Sequence, residues 1–248
     1  MHDLTLLPHE TIDEKVIYYK KYFENQGKNY SEDKLKEAIE YLSYRHADPL
    51  PKTESDTKPT MYIFRHGQTD DNANFVFSGW REARLTKIGE QQALDLAPLL
   101  KDKKVQMLIS SPQVRAMDTM KLAISMNIGV KDLNIQPDNR IMERSYGDYQ
   151  GQSKIEVAMK NPKGLEKIRR SFRSKPPNGE SIEMVCMRVG EFCDEIVPLM
   201  KSTKVNVAVS CHGNSIRGFR RYFEKLSDHD TAHVETPLGQ DYLAYVIE

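Results

Sequence analysis

From residue 61 onward, short apolar runs alternate with longer stretches of helical periodicity, and this alternation limits the fold more than any other feature. The runs "MYIF", "VQMLIS", "VNVAVS" and "DYLAYVI" have the length and content of strands. Between them lie four expected helices. These are "LTKIGEQQALDLAPLLKD", capped at Thr86, "SPQVRAMDTMKLAIS", opening on Ser111 and Pro112, "SIEMVCMRVGEFCDEIVPLM", and "NSIRGFRRYFEKL". Strands separated by helices predict an α/β fold: a three-layer α/β/α sandwich around a mostly parallel sheet. The first 60 residues follow another pattern. Thr11 and Glu14 form a capping-box signal at the head of a helix over "IDEKVIYYKKYFENQ". "SEDKLKEAIEYLSYRH" places Leu35, Ala38, Ile39 and Leu42 on one helical face. "ADPLPKTESDTKPT" is rich in proline, hydroxyls and charge, as linkers are. The expected organisation is a helical extension over 1–46, a linker over 47–60 and an α/β domain over 61–248.

The 248 residues suffice for one such domain with a sizeable core. Lys plus Arg and Asp plus Glu both number 36, so the formal charge is zero. That balance argues against nucleic acid or a membrane surface as a partner, and leaves room for a local cationic pocket. No apolar run reaches the roughly 20 residues of a membrane span. "MHDLTLLPHETIDEK" lacks the basic-then-apolar pattern of a secretory signal. Cys186, Cys193 and Cys211 are few, odd in number and without metal-ligand spacing, so reduced thiols and a cytoplasmic location are expected.

Chemistry concentrates where two strands should end. "MYIF" runs into Arg65, His66 and a glycine; "VNVAVS" runs into Cys211, His212 and a glycine. Parallel sheets bind ligands at the carboxyl ends of their strands, so the two histidines are expected to face one pocket. Either tripeptide alone is as easily a satisfied core histidine; the joint placement is what carries weight. Imidazole is a competent nucleophile toward phosphorus, and covalent catalysis splits one hard transfer into two easier ones. The transferring group needs fixed positive charge or a metal. No metal site is legible. Arg65, Arg115 in the helix after "ISS", and His212 would supply the positive charge and hydrogen bonds instead. Glu143, in the glycine-rich polar stretch "IMERSYGDYQG", is the candidate proton donor. Phe77 and Trp80 are pocket candidates whose default role is core, and Cys211 is expected to be a small core residue.

These residues resemble the histidine phosphatase superfamily, and within it the phosphoglycerate mutases that depend on 2,3-bisphosphoglycerate. "RHGQTDDNANFVFSGW", "SPQVRAMDT", "ERSYGDYQGQSK", "RRSF" and "CHGNSIRGF" match successive family motifs across about residues 61–248. The resemblance implies His66 as the phosphorylated histidine, with Arg65, Asn72, Ser78, Gly79 and Arg115 as phosphate or substrate contacts. It implies Glu143 as proton donor and Arg144, Tyr146, Lys154, Arg169 and Arg170 on the substrate. It also implies His212 as transition-state stabiliser, with Gly213 and Asn214 as contacts. The first and last motifs are common to the superfamily. Tyr146, Lys154 and the paired arginines point to the mutases, whose substrate carries a carboxylate besides its phosphate. The implied primer is 2,3-bisphosphoglycerate, the substrate a small phosphorylated metabolite, and no metal is needed.

Three departures from the mutase pattern stand out. "ANFV" lacks a basic residue, the insertion after the paired arginines is shortened to "RSKPPNGES", and the chain stops at "YVIE" without a closing tail. An open pocket admits water, and water as acceptor makes a phosphatase. The leading expectation is therefore a mutase interconverting 3- and 2-phosphoglycerate. The alternative is a metal-independent phosphatase using the same five catalytic residues. A third reading, a non-catalytic interaction protein, conflicts with the intact set. Residues 1–60 have no counterpart in the resemblance, and are expected either to cover the site or to mediate homo-oligomerisation.

Overall fold

The structure, a computed structural model, describes residues 11–43 and 49–248. The helix expected over "SEDKLKEAIEYLSYRH" runs into the gap, so its last three residues lie outside the described residues. The described residues form five strands: β1 (Thr60–Arg65), β2 (Val105–Ser110), β3 (Ile135–Pro137), β4 (Asn206–Cys211) and β5 (Tyr242–Val246). They form one sheet in the order β3-β2-β4-β1-β5, parallel except for β5, which pairs antiparallel with β1.

Among the described residues, ten α-helices accompany them: α1 (Ile12–Glu24), α2 (Glu32–Ser43), α3 (Asp70–Ala73), α4 (Lys87–Leu100), α5 (Val114–Ala123), α6 (Lys154–Lys160), α7 (Pro162–Arg170), α8 (Ile182–Thr203), α9 (Gly213–Glu224) and α10 (Asp228–His233). Alternate residues of a strand point to opposite faces, and β1 shows this directly. Met61 and Ile63 pack with Val185, Val189, Phe192, Ile216 and Phe219 of α8 and α9. Tyr62 and Phe64 pack with Leu96 and Leu100 of α4 and with Met120 and Ala123 of α5. The sheet thus separates two helical layers, giving the α/β/α sandwich.

Several caps lie where the sequence signals them. Thr11 and Glu14 close a reciprocal capping box on α1, and Thr86 accepts from the Gly89 backbone at 3.1 Å. The helix expected from Ser111 begins later, at Val114 with Gln113 as N-cap. The Gln113 side chain does not cap; it is committed to the site described below. The strand β3 is three residues long, too short to carry a periodic signal.

The extension belongs to the catalytic domain's packing. Val16, Tyr19 and Phe23 of α1 and Leu35, Ala38, Ile39 and Leu42 of α2 share one buried cluster with Phe75, Phe77, Ile155, Ala158 and Leu165. At its edge Glu156 accepts from Tyr30 Oη at 2.8 Å and pairs with Lys28 at 2.9 Å. The stretch between extension and sheet lies along β5. Thr53 donates its N–H to the Ala244 carbonyl at 2.8 Å, and Ala244 donates to the Pro51 carbonyl at 3.0 Å. Among the described residues, no helix is long and apolar enough to cross a membrane.

Candidate active site

Strands β1 and β4 are neighbours in the sheet, with Arg65 in register with Cys211. The residues that follow are therefore adjacent at the carboxyl edge. His66 donates its backbone N–H to the Cys211 carbonyl at 3.0 Å, and the His66 and His212 rings lie 5.0 Å apart. The glycines after them serve packing. A Cβ on Gly67 would sit 2.1 Å from the Gly89 carbonyl oxygen, so Gly67 lets α4 approach the site loop. A Cβ on Gly213 would lie 3.3 Å from the Arg65 guanidinium carbon. Gly67 is thus constrained by packing against α4, while Gly213 sits close to Arg65 and also borders the pocket.

The His66 ring is set for attack. Its Nδ1 lies 2.7 Å from the Gly67 carbonyl oxygen, which must receive a proton, so Nδ1 carries the hydrogen and Nε2 the lone pair. Burial, then the charges of Arg115 and Arg65, pull the His66 pKa well below its usual 6.5. His212 is depressed likewise, by burial and then Arg115. Both rings are neutral at physiological pH without a ligand. Burying polar atoms without partners is costly, yet both His212 nitrogens and Arg115 Nε are buried without a protein partner. An anion in the pocket would accept from Arg115 Nε–H and from the one N–H of the neutral His212 ring.

Arg115 is buried at the head of α5, where its Nη1 donates to the Arg81 carbonyl at 3.0 Å and its Nη2 to Gly79 at 2.8 Å. Glu143 is held opposite. Its Oε1 accepts from the Arg144 backbone at 2.7 Å and from Asn214 Nδ2 at 3.0 Å. Those donors fix the carboxylate while Oε2 takes no part in them. Among the described residues, His66, Glu143 and His212 are the one set of three His, Cys, Asp or Glu close enough to share a metal ion, with ligand atoms within 4.8 Å. The guanidinium charges of Arg65 and Arg115 act on both histidines. That field opposes a cation and favours an anion. The N-terminus of α9, beginning at Gly213, adds backbone N–H groups of the same sense.

One pocket collects most of the sequence candidates. Arg65, His66, Asn72, Ser78, Gly79, Arg115, Glu143, Tyr146, Lys154, Arg169, Arg170, Gly213 and Asn214 all border it. His212 lies fully buried behind His66 rather than on the pocket surface. Asn72 is oriented by Thr69, whose N–H and hydroxyl donate to its Oδ1 at 3.1 and 2.9 Å. Phe77 borders the pocket and is also buried in the extension's cluster. Trp80 is half exposed and donates Nε1 to the Glu143 carbonyl at 2.8 Å, so it is neither core nor pocket wall. Cys211 is a buried core residue.

Arg144 does not fit its expected place. It does not border the pocket. It is fully buried, with Nε on the Glu180 carbonyl at 2.6 Å, Nη1 on Ile168 at 2.7 Å and Nη2 on Ser174 at 3.0 Å. Glu143 borders the pocket while its neighbour Arg144 turns into the protein. Arg144 braces the end of α7 and the loop after it, and its backbone N–H orients Glu143.

Three further residues were missed in the sequence. Gln113 donates to the Gly79 carbonyl at 2.9 Å and accepts from the Glu143 N–H at 3.0 Å, tying the phosphate-side loop to the acid. Arg217 and Glu235 border the pocket and approach each other within 3.6 Å. Arg217 alone had a usable signal: it lies one helical turn beyond Asn214.

Comparison with known proteins agrees with this geometry. The model of the histidine phosphatase superfamily (branch 1) matches residues 61–240. A 2,3-bisphosphoglycerate-dependent phosphoglycerate mutase of Cytophaga hutchinsonii is 37% identical over 183 residues, 73% of this chain and 84% of the relative. One of Methylocella silvestris is 33% identical over 72% of this chain and 88% of the relative. Solved structures share the fold: a mycobacterial glucosyl-3-phosphoglycerate phosphatase has TM-score 0.66 at 24% identity, covering 75% of this chain and 92% of that one. The protein titled Bacillus stearothermophilus YhfR has TM-score 0.67 at 23% identity, covering 75% and 90%.

Proposed function

The chain belongs to the histidine phosphatase superfamily, whose mutases and phosphatases share a fold and a site, and we propose that this member is a 2,3-bisphosphoglycerate-dependent phosphoglycerate mutase. The observation that carries the proposal is the second cationic end of the pocket. Lys154, Arg169 and Arg170, with Tyr146, border the same cavity as His66 and Arg115. A phosphatase for a simple monoester needs charge at one end; a substrate with phosphate and carboxylate uses both. Relatives named as such mutases, at 33% and 37% identity, support the same reading.

With His66 phosphorylated by the primer, the free hydroxyl of bound 3-phosphoglycerate attacks that phosphoryl group, the N–P bond breaks as the new P–O bond forms, and Glu143 takes the hydroxyl proton, leaving the bisphosphate in the pocket. In the second half, His66 Nε2 attacks the other phosphoryl group of the bisphosphate, its P–O bond breaks as the N–P bond re-forms, and Glu143 gives the leaving oxygen its proton, releasing 2-phosphoglycerate and restoring phosphorylated His66. Arg65, Arg115 and His212 meet the charge on the equatorial oxygens throughout. The primer's role is to supply the first phosphoryl group to His66. The orphaned nitrogens of His212 and Arg115 suit an anion of that kind. Between the two halves the bisphosphate must turn so that its other phosphoryl group faces His66, and the distal cations retain it meanwhile.

Replacing both Arg169 and Arg170 with Ala tests the proposal. Mutase kcat/KM should fall by about a hundredfold or more, since two charge-assisted contacts are lost, while hydrolysis of a simple aryl phosphate changes little. Equal losses on both substrates would assign these arginines to general packing.

A further inference from the structure

An anion pocket that carries its own carboxylate needs explaining. Glu235 borders the cavity, with its Oε1 2.5 Å from Arg170 Nη2 and 3.6 Å from Arg217 Nη2. The neighbouring backbone engages the same cations. The Val234 carbonyl accepts from Arg217 Nε at 3.1 Å, and the Thr236 carbonyl accepts from Arg65 Nη1 at 2.7 Å. Three consecutive residues thus present oxygens to three arginines of one pocket.

We propose that Glu235 is an internal carboxylate ligand, competing with the second anionic group of the substrate for Arg170 and Arg217 and so setting how strongly the pocket prefers carboxylate-bearing phosphate esters. The proposal rests on the two-ended pocket described above and names the residue that tunes its distal end.

The physical case is one of charge compensation. Arg217 is buried among other cations, and burial followed by the charge of Arg170 works against its protonated form, while Glu235 favours it. A buried cation without a counter-ion is costly, so Glu235 supports the arginines while no ligand is bound. When a substrate carboxylate arrives, it meets guanidinium groups already engaged, and part of its binding energy goes into sharing or displacing Glu235. The phosphate end does not pass through Glu235 and gains nothing from its removal.

Glu235→Gln keeps the side chain's shape and removes its charge. Dissociation constants for 3-phosphoglycerate and for glycerol 3-phosphate, which lacks the carboxylate, are measured in the His66→Ala background, where neither is turned over. Glu235→Gln is expected to tighten 3-phosphoglycerate by about tenfold, the size of one charge-assisted contact, and glycerol 3-phosphate by less than about twofold. Glu235→Asp, which keeps a charge near Arg217 but retreats from Arg170, is expected to shift the ratio the same way by a smaller factor. It keeps the test open if Glu235→Gln folds poorly. An unchanged ratio in either folded variant, or equal tightening of both ligands, overturns the proposal. Failure of the mutase reading shows elsewhere: the unaltered chain would then make no 2-phosphoglycerate, whatever the binding ratio.

Discussion

His66 and His212 show how burial and neighbouring charge prepare a residue for chemistry. Each ring is held neutral, so each stays unprotonated in the folded protein at a pH where the unfolded chain takes up a proton. With the folded pKa below the unfolded one, the unfolded state binds more protons, and stability rises with pH across that window. The ligand-free protein should therefore lose thermal stability as pH falls from about 7 to about 5.5, before carboxylates titrate. Inorganic phosphate, by stabilising protonated rings, should flatten the slope, as should His212→Asn. A midpoint that rises on acidification would contradict the assignment of neutral rings. The same scale marks what the sequence conveys. His66, His212 and Arg115 are legible because each sits at a motif just after a strand, and Glu143 because it sits in a glycine-rich polar stretch. The distinction between Glu143 in the pocket and Arg144 behind it is not, since it depends on the local course of the backbone. Gln113 and Glu235 carry no local mark: their roles are made by partners distant in the chain, Gly79 and Glu143 for Gln113, Arg170 and Arg217 for Glu235.

At the scale of elements, the extension is best understood by what it backs. Helices α1 and α2 pack behind Phe75, Phe77 and Ile155, and Phe77 is also a wall of the pocket. The Arg169 guanidinium lies 5.5 Å from the Tyr41 ring centroid of α2, and Lys154 Nζ lies 5.5 Å from the Phe77 centroid. The extension therefore supports the side of the site that holds the distal cations. Phe23, 1% exposed at the centre of this cluster, tests the coupling. Phe23→Ala should cost about 3–5 kcal/mol, lowering the midpoint of one common transition by about 10 °C. Two transitions, with the later one unmoved, would mean that the extension folds apart from the rest. The amphipathic faces of α1 and α2 were readable from their period. That their partner is the wall carrying Phe77 was not, because a hydrophobic stripe specifies burial and not the surface that buries it.

Across the whole molecule, the alternation of strands and helices was enough for the sandwich, and the two histidine motifs located its working edge. The sheet order and the antiparallel β5 depend on pairings distant in the chain, which periodicity does not encode. The fold as a whole does not choose between transfer to a hydroxyl and transfer to water: mutase and phosphatase share the nucleophile, the acid and the first cationic end. On the reading we propose, the choice belongs to the second group of cations, where Lys154, Arg169 and Arg170 border the pocket and Glu235 pairs with Arg170. The most direct measurement follows 3-phosphoglycerate conversion with and without catalytic 2,3-bisphosphoglycerate, recording 2-phosphoglycerate and free phosphate together, with His66→Ala as the blank. A mutase gives rapid, primer-dependent isomerisation, little free phosphate and no turnover in the blank. Steady release of phosphate without isomerisation would contradict the account and make water the acceptor.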